Sequence, residues 1–240
     1  MRLVFSKINE INLSDYEDKI FITFDMDWAE DEVLDFTLNL IESYKISCTF
    51  LVTHKTELLK KMEENSLIEL GIHPNFNFLL NGDFRYGKDV KEVISYYKKI
   101  VPNALSVRSH YLTESTIILN IFHSLGLIYD LNTFIPFSSG ITLKPFNYFT
   151  GSLIKVPHFW EDDVHVLLNW PYDVEKYINY PGLKVFDFHP VHIYLNTSNI
   201  NEYYEYKSNK KRKKIKHGRE PGIRDFFLNL VEKILYLNEK

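Results

Sequence analysis

The stretch KIFITFDMDWAED, residues 19–31, joins an apolar run to four carboxylates, and the fold follows from how that junction is read. Residues 19–24 are rich in Ile and Phe and read as a buried strand. Such strands seldom end in Asp-x-Asp for packing reasons, because taking an unpaired carboxylate out of water is costly. Asp25 and Asp27 therefore call for a partner. Two residues apart, they share one face of an ideal strand, and a turn starting at Met26 would give them separate roles.

Working outward, apolar runs alternate with amphipathic ones. A helix is expected over 30–44, its stripe made by Val33, Leu34, Phe36, Leu40 and Ile41, then a strand over 47–52 and a short helix over 56–64. A strand over 67–72 runs into His73. A helix over 89–100 precedes a strand over 104–107 that ends in Arg108-Ser109-His110. A helix over 113–125, with Thr113 as N-cap, precedes a strand over 127–129 ending at Asp130. Regularity fails over 132–149, where Pro136, Gly140 and Pro145 punctuate a long excursion able to shape a groove. Strands are expected again over 154–156, 164–169 and 184–188, and a last helix from 221 or 222 to 237. This alternation predicts an α/β fold of parallel strands with helical crossovers.

With 240 residues, 45% of them hydrophobic, the chain can bury one sizeable core. A net charge of -4 gives no electrostatic case for nucleic acid. Cys48 is the only cysteine, so an intrachain disulfide and a thiolate-rich metal site are both excluded. No run approaches the roughly 18 apolar residues of a membrane span, and no signal-like segment precedes Glu10. The expectation is a soluble cytoplasmic protein with peripheral membrane contact at most.

Chemistry-bearing residues gather at the C-terminal ends of the expected strands: Asp25 and Asp27, His54, His73, Arg108 and His110, Asp130, the acids from Glu161 to Asp163, His189 and His192. In a barrel of parallel strands that edge is where sites are built. Asp and His suit a borderline divalent ion such as zinc, with cobalt or nickel as the other candidates.

The order of these strand ends resembles the polysaccharide deacetylase (NodB-homology) family. Thr23-Phe24-Asp25-Met26-Asp27 is similar to the family's Thr-Phe-Asp-Asp-Gly, with one residue inserted between the carboxylates. Thr49-Phe50-Leu51-Val52 resembles its Thr-Phe-Phe segment, Gly71-Ile72-His73 the start of its His-x-x-x-His motif, and Arg108-Ser109-His110-Tyr111 its Arg-x-Pro-Tyr. Phe186-Asp187-Phe188-His189-Pro190 resembles the late strand that carries the catalytic histidine. The resemblance spans about residues 19–195. It implies an irregular (β/α) barrel with about seven strands, formed by residues 1–240 as a single catalytic domain, and a metal-dependent hydrolase. That hydrolase would remove an N-acyl group, acetyl above all, from an amino sugar.

It also implies roles. Asp25 would be the general base, held by Arg108 through a bidentate pair, and Asp27 and His73 would be metal ligands. The Tyr111 N–H would support the oxyanion, and His189 would protonate the departing amine. Two departures stand out. Asn77 occupies the place of the second metal histidine, and His110 replaces the motif's proline. An amide oxygen is a poor zinc ligand beside imidazole, so the expected ligand set is Asp27, His73 and His110. A catalytically inactive carbohydrate-binding protein and a hydrolase of a non-sugar amide are the alternatives.

Around Phe159-Trp160-Glu161-Asp162-Asp163, the Trp160 indole is a candidate for stacking on a sugar ring, and Asp162 or Asp163 for supporting the site from behind. His165 and His192 are candidates for the same support, and His54 for a structural role. In the block 207–219, every residue from 210 to 216 except Ile215 is cationic. A solvated loop is one reading. Composition alone would also permit nucleic-acid binding or a nuclear localisation signal, but the run is single, lacks interleaved aromatics after Tyr206 and sits in a net-acidic protein. The favoured partner is an anion on the substrate, a nucleotide diphosphate or lipid-linked pyrophosphate held by Lys210, Lys211, Arg212, Lys213 and Lys214.

Overall fold

In the computed structural model, which describes residues 3–151, 153–208 and 221–239, the apolar run at 19–24 forms an interior strand of a sheet. Its strands are β1 (Val4–Ser6), β2 (Lys19–Asp25), β3 (Cys48–Val52), β4 (Ile68–Ile72), β5 (Ser106–Val107), β6 (Tyr129–Asp130), β7 (Phe146–Asn147), β8 (Ile154–Lys155), β9 (Trp160–Glu161) and β10 (Lys184–Phe188). They lie in the order β7-β8-β6-β5-β4-β3-β2-β10-β9, with β1 beside β2. Every pairing is parallel except β7 with β8. The sheet curls into a half-barrel flanked by helices.

The helices are α1 (Asp31–Tyr44), α2 (Leu59–Glu64), α3 (Asn77–Leu80), α4 (Val90–Lys98), α5 (Thr116–Ser124), α6 (Asp162–Leu167), α7 (Val174–Ile178), α8 (Pro190–Leu195), α9 (Ile200–Ser208) and α10 (Ile223–Glu239). Helix α1 buries Val33, Leu34, Leu38 and Ile41 at helical spacing and ends on Lys45 in the left-handed region. Its first turn takes Asp31 and Glu32, whose charge suits the helix N-terminus. The four acids of the opening stretch are thereby divided between the strand end and the helix start. Helix α10 buries Phe226, Phe227, Leu230 and Ile234, and Phe226 lies stacked on Trp160 at 4.7 Å. Among the described residues no helix is long and apolar enough to cross a membrane.

Three expectations need correction. Among the described residues the sheet has ten strands, not about seven: β1, β7 and β9 lie outside the expected strands. Residues 164–169 are not a strand: helix α6 runs there, burying Asp162, His165 and Val166 at the i, i+3, i+4 spacing of a helix. The N-cap of α5 is Ser115, whose Oγ accepts from the Ile118 N–H at 3.3 Å; Thr113 lies outside the helix.

Register lines up the strand ends. Phe24 is level with Phe188, Asp25 with Leu51, Val52 with Ile72, Ile72 with Val107, and Val107 with Asp130. The residues that follow, His73, Arg108 and His189, therefore emerge beside Asp25 at one edge. Close strand packing fixes this register at Gly71, where a Cβ would come within 2.6 Å of the Ser106 carbonyl oxygen.

Candidate metal centre and active site

The inserted residue in Asp25-Met26-Asp27 reshapes the end of β2. Met26 is fully buried, and its N–H donates to Leu51 O at 3.1 Å. Asp27 and Trp28 then adopt left-handed backbone angles, with φ 42° and 55°. Asp25 stays on the strand, while Asp27 is carried by the turn to another side of the site. The separation expected from a turn at Met26 has this backbone cause.

Three side chains converge on one point. Asp27 Oδ1 lies 3.2 Å from His73 Nε2 and 3.2 Å from His110 Nδ1, and the two ring nitrogens are 3.2 Å apart. Three corners of a tetrahedron with ligand bonds of roughly 2.0 Å stand roughly 3.3 Å apart, so the triangle has the size of a zinc site. Asp27 Oδ1 is buried, yet it has no hydrogen-bond partner among the described residues. A buried carboxylate oxygen facing two imidazoles without sharing a proton fits a divalent cation. Burial works to raise the Asp27 carboxyl, but His110 and His73 outweigh it and hold it well below the usual carboxylate range.

Behind the triangle stands Arg108, 1% exposed. It donates to Asp25 Oδ1 at 2.9 Å, to Asp187 Oδ1, to Thr23 Oγ1 at 3.1 Å and to Leu131 O at 3.3 Å. Its grip on Asp25 is a single hydrogen bond from Nη1, which it shares with Asp187, and not the expected bidentate pair. Thr23 closes the group by donating to Asp187 at 2.7 Å, the two residues being level across β2 and β10. The second Asp25 oxygen lies 3.4 Å from His73 Nδ1. Burial pushes Asp187 up to about 7, with Arg108 pulling it down and Asp25 adding to the rise.

On the opposite side His189 follows β10. Its Nδ1 lies 2.7 Å from Asp162 Oδ1 and its Nε2 3.8 Å from Asp27 Oδ2. Burial would lower this imidazole, but the Asp162 carboxylate overrides burial and holds it well above its ordinary value. Glu161, beside it, is pushed up to about 9 by burial and by the charges of Asp163 and Asp187.

These groups floor a cleft of about 290 Å³. Asp25, Asp27, His73, His110, Tyr111 and His189 all line it, and so do Asp163 and His192. Arg108 lies beneath the floor. Asn77 is not among the lining residues; it opens α3, with its N–H on Asn75 Oδ1 at 2.9 Å. His192 hydrogen-bonds Thr197 Oγ1 at 3.0 Å, His165 accepts from the Trp160 indole at 3.0 Å, and His54 pairs with Thr53 Oγ1 at 2.8 Å. The Trp160 indole is fully buried against Phe226 and cannot stack on a sugar, because α10 covers the face that the sequence left open. The cations from Lys210 to Arg219 lie outside the described residues, whereas Lys207 lines the cleft.

Sequence reasoning missed Asp187 and did not choose between Asp162 and Asp163. A signal for Asp187 existed: it sits two residues before His189 on one strand, hence on the same face. The wall made by Ile200, Tyr203 and Tyr204 of α9 left no signal, since no residue of that helix is buried.

Residues 22–207 match a family model described as WbmS-like polysaccharide deacetylase. Among solved structures, a Bordetella bronchiseptica protein described as a polysaccharide deacetylase involved in O-antigen biosynthesis is 37% identical, with a TM-score of 0.88. The match covers 95% of this chain and 97% of that one. A Mycobacterium smegmatis structure described as a polysaccharide deacetylase shares the fold, with a TM-score of 0.51 at 12% identity over 99% of this chain and 95% of that one. No protein with a curated description matches the sequence.

Proposed function

The chain belongs to the polysaccharide deacetylases of the WbmS-like group, and from that premise we propose that it hydrolyses the N-acyl group, in the first instance acetyl, of an amino sugar used in cell-surface glycan assembly. The observation that carries this is the 3.2 Å triangle of Asp27, His73 and His110, set between Asp25 and His189. Asp27, His73 and His110 would hold a divalent cation, zinc by donor set, with cobalt or nickel also suited. Such a cation would polarise the acyl carbonyl and acidify the attacking water.

The remaining steps belong to the chain itself. Asp25, held by Arg108, takes the proton from the attacking water. Tyr111 lines the cleft and offers its N–H to the oxyanion that develops on the carbonyl. His189, turned by Asp162, delivers its Nε2 proton to the departing amine. An amide needs that proton because a free amide anion is a poor leaving group.

The substrate we assign is nucleotide- or lipid-linked. Lys207, the first cation of the basic block, lines the cleft with its ammonium 5.6 Å from the Tyr203 ring. In sequence Lys207 is followed by the cations of the basic block, whose charge suits a substrate that carries a diphosphate. The test has two parts: metal analysis of protein purified without added metal, then acetate release from free, nucleotide-linked and lipid-linked acetylated amino sugars. Bound metal with turnover of a linked sugar is expected. Bound metal with no turnover on any amide would overturn the hydrolase reading in favour of silent binding.

A further inference from the structure

This inference rests on the reading of Asp27, His73 and His110 as cation ligands, and it concerns what puts His110 in place. His73 directly follows β4, whereas His110 lies past the end of β5, in a turn whose next residues, Tyr111 and Leu112, have left-handed φ of 57° and 52°. Past Val107 each backbone N–H of this segment is anchored in turn. Arg108 N–H donates to Ile72 O at 3.2 Å, and His110 N–H donates to Pro74 O at 2.9 Å. Between them the Ser109 N–H donates to a side chain, Asn132 Oδ1, at 2.7 Å.

The Asn132 amide is itself oriented. Its Nδ2 donates to Asp130 Oδ1 at 2.5 Å, which turns Oδ1 toward Ser109. A flipped amide would set its oxygen against a carboxylate and its NH2 against an N–H, two repulsive contacts in place of two hydrogen bonds. Asp130 is fully buried at the end of β6, and its second oxygen pairs with Lys155 Nζ of β8. That ammonium also reaches Glu114 Oε2 at 2.6 Å. Burial works against the Lys155 charge, but Asp130 and Glu114 outweigh it and hold it above its ordinary value. The chain thus runs from the half-exposed Glu114 inward through Lys155, Asp130 and Asn132 to the backbone of the ligand segment.

We propose that Glu114, Lys155, Asp130 and Asn132 form a positioning device for His110: by fixing the Ser109 N–H they place the next imidazole against Asp27 and His73. An ordinary structural ion pair would also be buried and paired. What distinguishes this one is that its terminal hydrogen bond falls on the residue before the ligand.

Asn132→Ala removes the acceptor for Ser109 while keeping the Asp130–Lys155 pair. Loss of such an outer partner typically weakens metal affinity about 10- to 100-fold. The experiment is titration of metal-free protein with cobalt(II), followed by its visible spectrum, together with hydrogen exchange over residues 109–111 without metal. In Asn132→Ala, faster exchange, weaker cobalt binding in that range and an altered spectrum are expected. The double variant Asp130→Asn with Asn132→Asp exchanges amide and carboxylate but keeps the acceptor for Ser109; it should recover most of the affinity, and it carries the test if Asn132→Ala does not fold. Native exchange over 109–111 in Asn132→Ala overturns the proposal. So does faster exchange with native cobalt affinity and spectrum. A native protein that takes up no cobalt contradicts the metal centre itself and this role with it, and is recognised before any variant is compared.

Discussion

One carboxylate holds His189 at two points: Asp162 Oδ2 accepts the His189 backbone N–H at 2.7 Å, and Asp162 Oδ1 lies 2.7 Å from its ring Nδ1. Backbone and imidazole are fixed by the same fully buried group. The ring is left with Nε2 facing the cleft, where a leaving amine would stand.

The pH dependence follows. A proton-donating His189 must be protonated, and the Asp162 carboxylate favours that form by holding its pKa well above the ordinary value. As pH rises through that raised value the proton is lost, and amide cleavage should fall. Asp162→Asn removes the charge that opposes burial, so burial then lowers the imidazole and the alkaline limb of kcat should move to lower pH. A pH profile with the limb unmoved would mean that another group sets it.

Asp25 and His189 should separate by chemistry. Asp25→Asn should keep the cation and lose turnover by roughly 100- to 10,000-fold, because the amide cannot take a proton. His189→Ala should slow amide cleavage far more than cleavage of an activated ester, whose leaving group hardly needs a proton. Equal losses on the two substrates would make His189 an orienting group.

Arg108 should matter for folding as well as for catalysis. Arg108→Met leaves Asp25 and Asp187 buried without their guanidinium, and breaking such a pair from one side typically costs about 3–5 kcal/mol. Denaturant unfolding measures it. A loss below about 1 kcal/mol, the range of exposed pairs, would contradict the reading that the guanidinium carries this buried group.

Much of this site was legible because strand ends are. Asp25, His73, Arg108 and His189 each follow an apolar run, and parallel register brings such positions to one edge without further information. His110 was legible through a mismatch: a histidine where the similar motif has proline, opposite an asparagine where it has histidine. Other features had no local signal. The burial of Trp160 depends on α10, far away in the chain, and α6 was mistaken for a strand because a short apolar run does not reveal its period. The chain through Asn132 and Lys155 joins residues from three loops and strands, a contact that periodicity cannot register.

The basic block bears on substrate. Replacing Lys210, Lys211, Arg212, Lys213 and Lys214 with Ser should raise KM for a nucleotide- or lipid-linked acetyl sugar, leave kcat near normal and hardly affect the free sugar. The effect should shrink with salt, since charges are screened beyond roughly 8 Å at physiological ionic strength. An unchanged KM at low salt would leave the block a solvated segment.

The metal centre itself is tested most directly by cation content in two variants, His110→Ala and Asn77→Ala, each purified beside the native protein and analysed for bound zinc, with an anomalous map of the native crystal. His110→Ala should lose most of the metal and Asn77→Ala should keep near-native occupancy, with the anomalous peak among Asp27, His73 and His110. A peak held by Asp27, His73 and Asn77 with His110 turned away, or full occupancy in His110→Ala, would contradict the assignment.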